Sequence, residues 1–218
     1  MPLLLSFDKK VAFYTKWTFL FQALFIPAIF YIIWDAWFTK LKIWSFNDEY
    51  ISGFHLFTLP VEEVLFFLIV PFCCVFIYEC IRSYFPLVKR NNYSDMLMIV
   101  AGALLIITGI IFFEKLYTSL TFLFCGAGFL SVRLYKPLFR FFNSSAFFLS
   151  YLIILVPFCI VNGFLTAIPV VIYNDAENLG IRIYTIPVED IFYGLLLMLL
   201  TISFYERFKQ KAALSNNH

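Results

Sequence analysis

The sequence predicts an all-α fold, a polytopic bundle of membrane-spanning helices, and three observations lead to that prediction. Hydrophobic residues make up 62% of the 218 residues and charged residues only 14%, and the mean hydropathy is +0.88. This composition is far more apolar than that of an average soluble domain. Six apolar runs approach the length of about 20 residues that a helix needs to cross a bilayer. An internal repeat relates the second run to the last.

The six spans follow one another without any stretch that indicates a second, soluble domain. Prolines lie inside three of them, where a membrane helix tolerates the residue that would usually break a soluble helix. The five cysteines show no metal or redox spacing and are expected to be small core residues. We predict the spans at residues 16–38, 61–80, 95–113, 118–132, 145–168 and 188–205.

The distribution of charge predicts an orientation. Twelve of the 16 basic residues lie in the segments that begin and end the chain, follow the second span and join the fourth span to the fifth. The positive-inside rule therefore puts those segments, including the C-terminus, in the cytoplasm. Glu79 and Glu206, beside Arg82 and Arg207, are expected to form ion pairs on that side.

The repeat is carried by a short motif that opens two apolar spans. The string Leu59-Pro60-Val61-Glu62-Glu63 recurs as Ile186-Pro187-Val188-Glu189-Asp190. Both copies have the same predicted orientation, which indicates a parallel repeat about an axis normal to the membrane. The offset that separates Pro60 from Pro187 also pairs, without gaps, Asn47 with Asn174, Gly53 with Gly180, Thr58 with Thr185, and Tyr78-Glu79 with Tyr205-Glu206.

The repeat also predicts how many helices the architecture has. In the second copy a span at 118–132 precedes the pair, and its partner in the first copy would fall largely before Met1. We therefore expect a 3+1+3 arrangement whose first helix is missing from this chain; a genuine six-helix protein is the alternative. The units would be a first repeat at 1–94, a linking helix at 95–116, and a second repeat with a cytoplasmic tail at 117–218.

Four acids, Glu62, Glu63, Glu189 and Asp190, are the candidate catalytic residues. Each costs at least about 2.5 kcal/mol at membrane depth, so two matched pairs need an explanation. Helix capping is the alternative explanation, but a cap needs only one acid. Crowded, buried carboxyl groups repel one another, so at least one is expected to stay protonated beside an ionised neighbour. Such a site suits proton donation and removal, which is isomerisation chemistry.

Other polar and aromatic residues are candidate supporting groups. Trp34 and Trp44 lie near the motifs and would stabilise a cation by cation–π attraction of about 0.5–2 kcal/mol, or would form an interfacial aromatic belt. Asn47 and Asn174, which precede Glu62 and Glu189 by the same interval, would hydrogen-bond the acids or serve as turn residues. Asp35 aligns with Asn162, so both copies carry a polar group there. Neither histidine has a partner for a metal site, and no nucleotide-binding motif is present, so we expect no metal and no cofactor.

These residues resemble those of a known family. The stretches around Trp34-Asp35 and Trp44-Ser45-Phe46-Asn47, with both PxE(E/D) motifs and Tyr193, resemble the membrane-embedded lycopene cyclase domain family. This is the fused form of the bacterial heterodimeric carotenoid cyclases and is related to the cyclase part of fungal bifunctional enzymes. The resemblance covers nearly the whole chain. It departs from the family at the start, where members usually carry one more helix.

The resemblance implies a substrate, a reaction and a location. The substrate would be lycopene or a related carotenoid, and a protonated acid would start its cyclisation to β-ionone rings without a redox cofactor. The protein would work in the bacterial inner membrane, with the lipid bilayer and other carotenoid-pathway enzymes as partners and without nucleic acid. A small transporter with paired acids and a non-catalytic carotenoid-binding protein are the alternatives.

Overall fold

The computed structural model describes residues 2–135 and 137–215, and six of its helices are long and apolar enough to cross a membrane. The six predicted spans are therefore confirmed, with ends that differ by a few residues; Lys136 in the charge count and the tail residue His218 lie outside the described residues. The helices are α1 Pro2–Leu5, α2 Trp17–Lys40, α3 Val61–Tyr84, α4 Asn92–Ile111, α5 Leu116–Leu134, α6 Ser144–Ala167 and α7 Val188–Ser215.

Local sequence explains where the helices begin. Asn91 accepts a hydrogen bond from the Ser94 amide at 2.8 Å, and Asn143 accepts one from the Ala146 amide at 3.1 Å, so each asparagine caps the helix that follows. Pro60 and Pro187 directly precede α3 and α7 and have no amide proton to leave unpaired at the helix start. Prolines also lie inside α2, α3 and α6, as predicted.

The even-numbered and odd-numbered long helices run in opposite directions. At one end of the bundle, C-termini of the even-numbered helices therefore lie beside N-termini of the odd-numbered helices. There α2, α4 and α6 end, and α3, α5 and α7 begin. We call this the loop end, and the opposite end the charged end. α7 packs against α2, α3, α5 and α6 and is the central helix of the bundle.

Six short strands cover the loop end, and no sequence pattern predicts them. They form three two-stranded antiparallel sheets, and the β1–β4 pair joins the two halves of the chain, with Ser45 opposite Ile172. The strands are β1 Trp44–Phe46, β2 His55–Leu56, β3 Leu59–Pro60, β4 Val171–Tyr173, β5 Arg182–Ile183 and β6 Ile186–Pro187.

The loops of the two halves have the same backbone at the offset of the repeat. The β2–β3 hairpin pairs His55 with Pro60, and the β5–β6 hairpin pairs Arg182 with Pro187. Phe57 and Tyr184 both adopt the left-handed region that a tight turn demands, with φ of 58° and 59°. The β1–β4 register is also symmetric. Trp44 faces Tyr173, and their counterparts in the repeat, Val171 and Phe46, also face each other. The division into two repeats and a linking helix remains a prediction.

Buried ion pairs join α3 and α7 at the charged end. Glu79 accepts hydrogen bonds from Lys16 at 2.5 Å and from Lys209 at 2.7 Å, and Arg82 donates to Glu206. The expectation of ion pairs is therefore right, but the predicted partner Arg207 is wrong. Arg207 is exposed, because Lys209 and not Arg207 follows the acid by one helical turn on the same face.

Candidate functional site

A cavity opens between α3, α6 and α7, beneath the β1–β4 strand pair. The empty space between its lining residues, with open solvent at the mouth included, is about 850 Å³. Polar side chains from six elements converge near the loop end, and an apolar arm continues between the helices toward the middle of the bundle. On α3 the lining runs from Glu63 to Cys74, which is about 16 Å of helix at a rise of about 1.5 Å per residue.

Three carboxyl groups line the polar end of this cavity. Asp35 comes from the last turns of α2, and Glu63 and Asp190 come from the first turns of α3 and α7. Asp35 and Glu63 lie within hydrogen-bonding reach of each other, and Asp190 is near enough to interact with both charges. Two carboxyl groups this close repel each other when both are ionised, and burial adds to that cost.

Tyrosine hydroxyls hold two of the three acids in place. Asp190 accepts hydrogen bonds from Tyr117 at 2.5 Å and from Tyr173 at 2.7 Å, and Asp35 accepts one from Tyr193. Burial, reinforced by the nearby Asp190 carboxylate, raises the pKa of Tyr173 well above its usual range, so this phenol keeps its proton and donates. Hydrogen bonds from two donors favour the charged form of a carboxyl group.

Aromatic faces surround the acids. Trp44 packs against Tyr117 with ring centroids 5.2 Å apart and against Tyr193 at 6.0 Å, and Tyr117 stacks on Tyr173 at 6.1 Å. All four rings line the cavity. Trp34, the other predicted tryptophan, does not line the cavity; it packs behind Tyr193 at 5.2 Å. The cavity wall can therefore attract a cation at several ring faces.

The first acid of each motif lies outside the cavity and holds the loop before its helix. Glu62 accepts a hydrogen bond from the Ser52 amide at 2.8 Å, and Glu189 accepts one from the Leu179 amide at 2.8 Å. Ser52 and Leu179 are themselves counterparts in the repeat. Glu62 is exposed, whereas Glu189 is fully buried and also accepts from the Thr118 hydroxyl at 2.6 Å. The four predicted acids are thus not one cluster.

The predicted asparagines are turn residues and do not line the cavity. The Asn47 side chain accepts from the Glu49 amide, and the Asn174 side chain accepts from the Ala176 amide, both at 3.1 Å. In both loops the asparagine therefore stabilises a turn of its own backbone and does not hydrogen-bond the acids. Asn162, the counterpart of Asp35, does line the cavity.

Sequence reasoning missed three tyrosines as site residues. Tyr193 was noted only as part of the family resemblance, and Tyr117 and Tyr173 were not singled out. A signal for Tyr173 was present, because it aligns with Phe46 directly before the matched asparagines. Nothing local marks Tyr117, since its role depends on the packing of α5 against α7.

These features define the class of the protein: an integral membrane helix bundle with a cluster of three acids at one end of an apolar, aromatic-lined cavity. Comparison with protein families then identifies the particular family. The family model described as lycopene cyclase matches residues 1–81 and 114–208, which together are most of the chain. The protein belongs to the lycopene cyclase family and is an enzyme of carotenoid cyclisation with a carotenoid substrate. The helix α4 lies outside the matched segments.

No curated protein and no solved structure gives a significant match to the chain. Among the residues that the structure describes, no group of three or more histidine, cysteine, aspartate or glutamate residues could hold a metal ion.

Proposed function

We propose that the protein is a lycopene β-cyclase, an intramolecular lyase that closes the end group of lycopene into a β-ionone ring by acid–base catalysis. The observation that carries the proposal is the meeting of Asp35, Glu63 and Asp190 at one end of an apolar cavity. Carboxyl groups at this depth are costly and typically mark a functional site. An apolar arm fits a hydrocarbon substrate, and an acid cluster at its end fits proton transfer to that hydrocarbon.

In this proposal the Asp35–Glu63 pair is the proton donor. One of these two neighbouring carboxyl groups carries a proton in the proposed cycle, and transfer of that proton to the terminal double bond of lycopene leaves a tertiary carbocation. The neighbouring double bond attacks the cation and forms the carbon–carbon bond that closes the ring. The ring faces of Trp44 and Tyr193 stabilise the positive charge by about 0.5–2 kcal/mol each.

Asp190 is the proposed base. Its carboxyl group accepts hydrogen bonds from two tyrosines, which offset part of the cost of burying its charged form. As a carboxylate it can accept the ring proton whose loss creates the β double bond. One proton enters the substrate and one leaves it, so the reaction needs no oxidant or reductant. Return of the proton from Asp190 to the adjacent Asp35–Glu63 pair restores the enzyme for the next cycle.

The role of the remaining predicted acids changes in this proposal. Glu62 and Glu189 shape the loops that present Glu63 and Asp190, and they act as positioning residues. Asn47 and Asn174 shape the turns of the same loops. The loop end faces the non-cytoplasmic side of the bacterial inner membrane, as the charge distribution predicts. Contact with other enzymes of the carotenoid pathway stays a prediction from the family resemblance.

Expression in bacteria that accumulate lycopene tests the proposal. Conversion of red lycopene into a product with β-ionone rings, identified by chromatography, is the expected result. Unchanged lycopene beside an abundant, membrane-inserted protein would contradict the cyclase function and favour a non-catalytic carotenoid-binding protein. A product with rings of another type would support carotenoid cyclase activity but contradict the formation of β-ionone rings.

A further inference from the structure

The cavity breaks the symmetry of the two halves at one position. Gly194 on α7 lines the cavity, and its counterpart in the first half is Phe67 on α3, which is fully buried. Phe67 packs against Tyr31 with ring centroids 5.3 Å apart. The counterpart of Tyr31 is Phe158, which lines the cavity opposite Gly194. An aromatic pair in one half therefore corresponds to an aromatic–glycine pair in the other.

The helix α2 and its counterpart α6 show the same asymmetry. Tyr31 and Phe38 of α2 are fully buried, whereas Phe158 and Leu165 of α6 are only partly buried and line the cavity. In the second half the Phe158 ring lies against Gly194, and both residues line the cavity. The matched residues of the first half, Tyr31 and Phe67, are instead buried in packing.

Space at Gly194 is limited. A Cβ atom at this position would lie 3.2 Å from Phe158 Cε2, which is closer than an ordinary van der Waals contact. Gly194 also follows Asp190 by one helical turn, so the two residues share the face of α7 that borders the cavity. A side chain at position 194 would narrow the cavity between the acids and the apolar arm.

We propose that Gly194 is a specificity-determining residue that admits one end of a linear carotenoid to the acids, and that Phe67 closes the equivalent space in the other half. The inference rests on the proposed function, because it assumes that the cavity holds the cyclase substrate. The protein then binds one substrate end at a time. Gly194 leaves room for the substrate because it has no side chain, whereas the acids carry out the proton transfer.

A graded series of variants tests this role by two separate readouts. Gly194→Ala, Gly194→Leu and Gly194→Phe are produced in lycopene-accumulating bacteria and purified in detergent. The carotenoid retained per folded protein reports on the cavity, and the ring content of the pigment reports on the proposed function. Retained carotenoid is expected to fall with side-chain size, by about tenfold or more for Gly194→Phe.

Two further variants distinguish a narrower cavity from a misfolded protein as the cause of lower carotenoid retention. Gly163→Ala is the matched control, because its Cβ would meet other atoms only at 3.9 Å and the residue does not line the cavity. Phe158→Leu combined with Gly194→Ala is expected to recover the carotenoid that Gly194→Ala loses, since the smaller side chain makes room for the added methyl group.

The outcomes are distinguishable. Wild-type retention of carotenoid by folded Gly194→Phe, or failure of Phe158→Leu to rescue Gly194→Ala, overturns the role of Gly194. Loss of retention along the series supports that role even if no ring forms in any variant. If the pigment from the wild-type protein contains no rings, the proposed function is contradicted. The role of Gly194 is then judged from the amount of carotenoid that the variants retain.

Discussion

Glu63 and Asp35 lie within hydrogen-bonding reach of each other although they belong to different helices. The geometry follows from the direction of the helices, because α2 ends and α3 begins at the loop end. Tyr193 of α7 also donates a hydrogen bond to Asp35, so side chains of three helices meet at this acid. The acids lie at the end of an apolar cavity, where proton transfer to a hydrocarbon would take place in the proposed reaction.

Glu63→Gln and Asp190→Asn should each lower cyclisation by at least about 100-fold, because each removes a proposed proton-transfer group while keeping its size. The measurement is ring formation per folded protein in lycopene-containing membranes. Glu62→Gln is the matched control next to Glu63, since its amide oxygen can still accept from the Ser52 amide, and it should retain near wild-type turnover. Wild-type turnover in either of the first two variants would remove that residue from the mechanism.

Tyr117→Phe and Tyr173→Phe should each lower the rate by about tenfold, because a hydrogen bond to a charged group contributes about 1.5–3 kcal/mol. The double variant should lose more than either single variant, since Asp190 then loses both donors. Tyr184→Phe is the control, because Tyr184 is an exposed residue at the tip of the β5–β6 hairpin. A double variant as active as Tyr184→Phe would show that the two phenols do not support Asp190.

A time course with lycopene should show a one-ring product before a two-ring product. The reason is that one acid cluster serves one cavity, so a second ring requires the carotenoid to leave, turn around and bind again. Chromatography of samples taken at short times at low enzyme concentration measures the intermediate. Formation of two-ring product from the first turnover, with no one-ring product at any time, would mean that both ends react during one binding event.

Glu79→Gln should lower the thermal stability of the purified protein, because it leaves Lys16 without its buried counter-charge and Lys209 with only Glu206, at 3.8 Å. Removal of one partner of a buried ion pair typically costs about 3–5 kcal/mol. Asp175→Asn is the control, since Asp175 is largely exposed and pairs with Arg182 at the surface, where an ion pair contributes about 0–1 kcal/mol. The unfolding midpoint in detergent is the measurement, and equal midpoints for the two variants would contradict the prediction.

The predicted orientation is tested by labelling intact cells with a thiol reagent that does not cross the membrane. Tyr184→Cys at the loop end should react, and Leu214→Cys near the other end of the chain should react only after the cells are lysed. Both side chains are exposed, and the parent protein with its five native cysteines gives the background. The opposite labelling pattern would contradict the predicted orientation and place the loop end in the cytoplasm.

The spans and the repeat were predictable because they depend on local properties. Apolar runs of membrane length and a motif repeated at a constant offset are visible without tertiary contacts. The exact acid cluster was not predictable, because adjacent residues at a helix start point in different directions. Glu62 turns toward the loop and Glu63 toward the cavity, and only the packed helices reveal which acid faces Asp35. Tyr117 enters the site through the packing of α5, which no sequence pattern marks.

The crossed ion pairs at the charged end have a consequence for how the two halves recognise each other. Arg82 of the first half pairs with Glu206 of the second, and Lys209 of the second half pairs with Glu79 of the first. Each half therefore supplies one cation and one anion in reciprocal order. If the chain were divided within the α4 region, Arg82 would lose its contact with Glu206, whereas Glu79 would keep Lys16 of its own fragment. The two crossed pairs are related by the repeat, because Lys209 is the counterpart of Arg82 and Glu206 is the counterpart of Glu79. The same crossed pairing would therefore also be open to two copies of one half, so these ion pairs hold the ends of α3 and α7 together without selecting the partner.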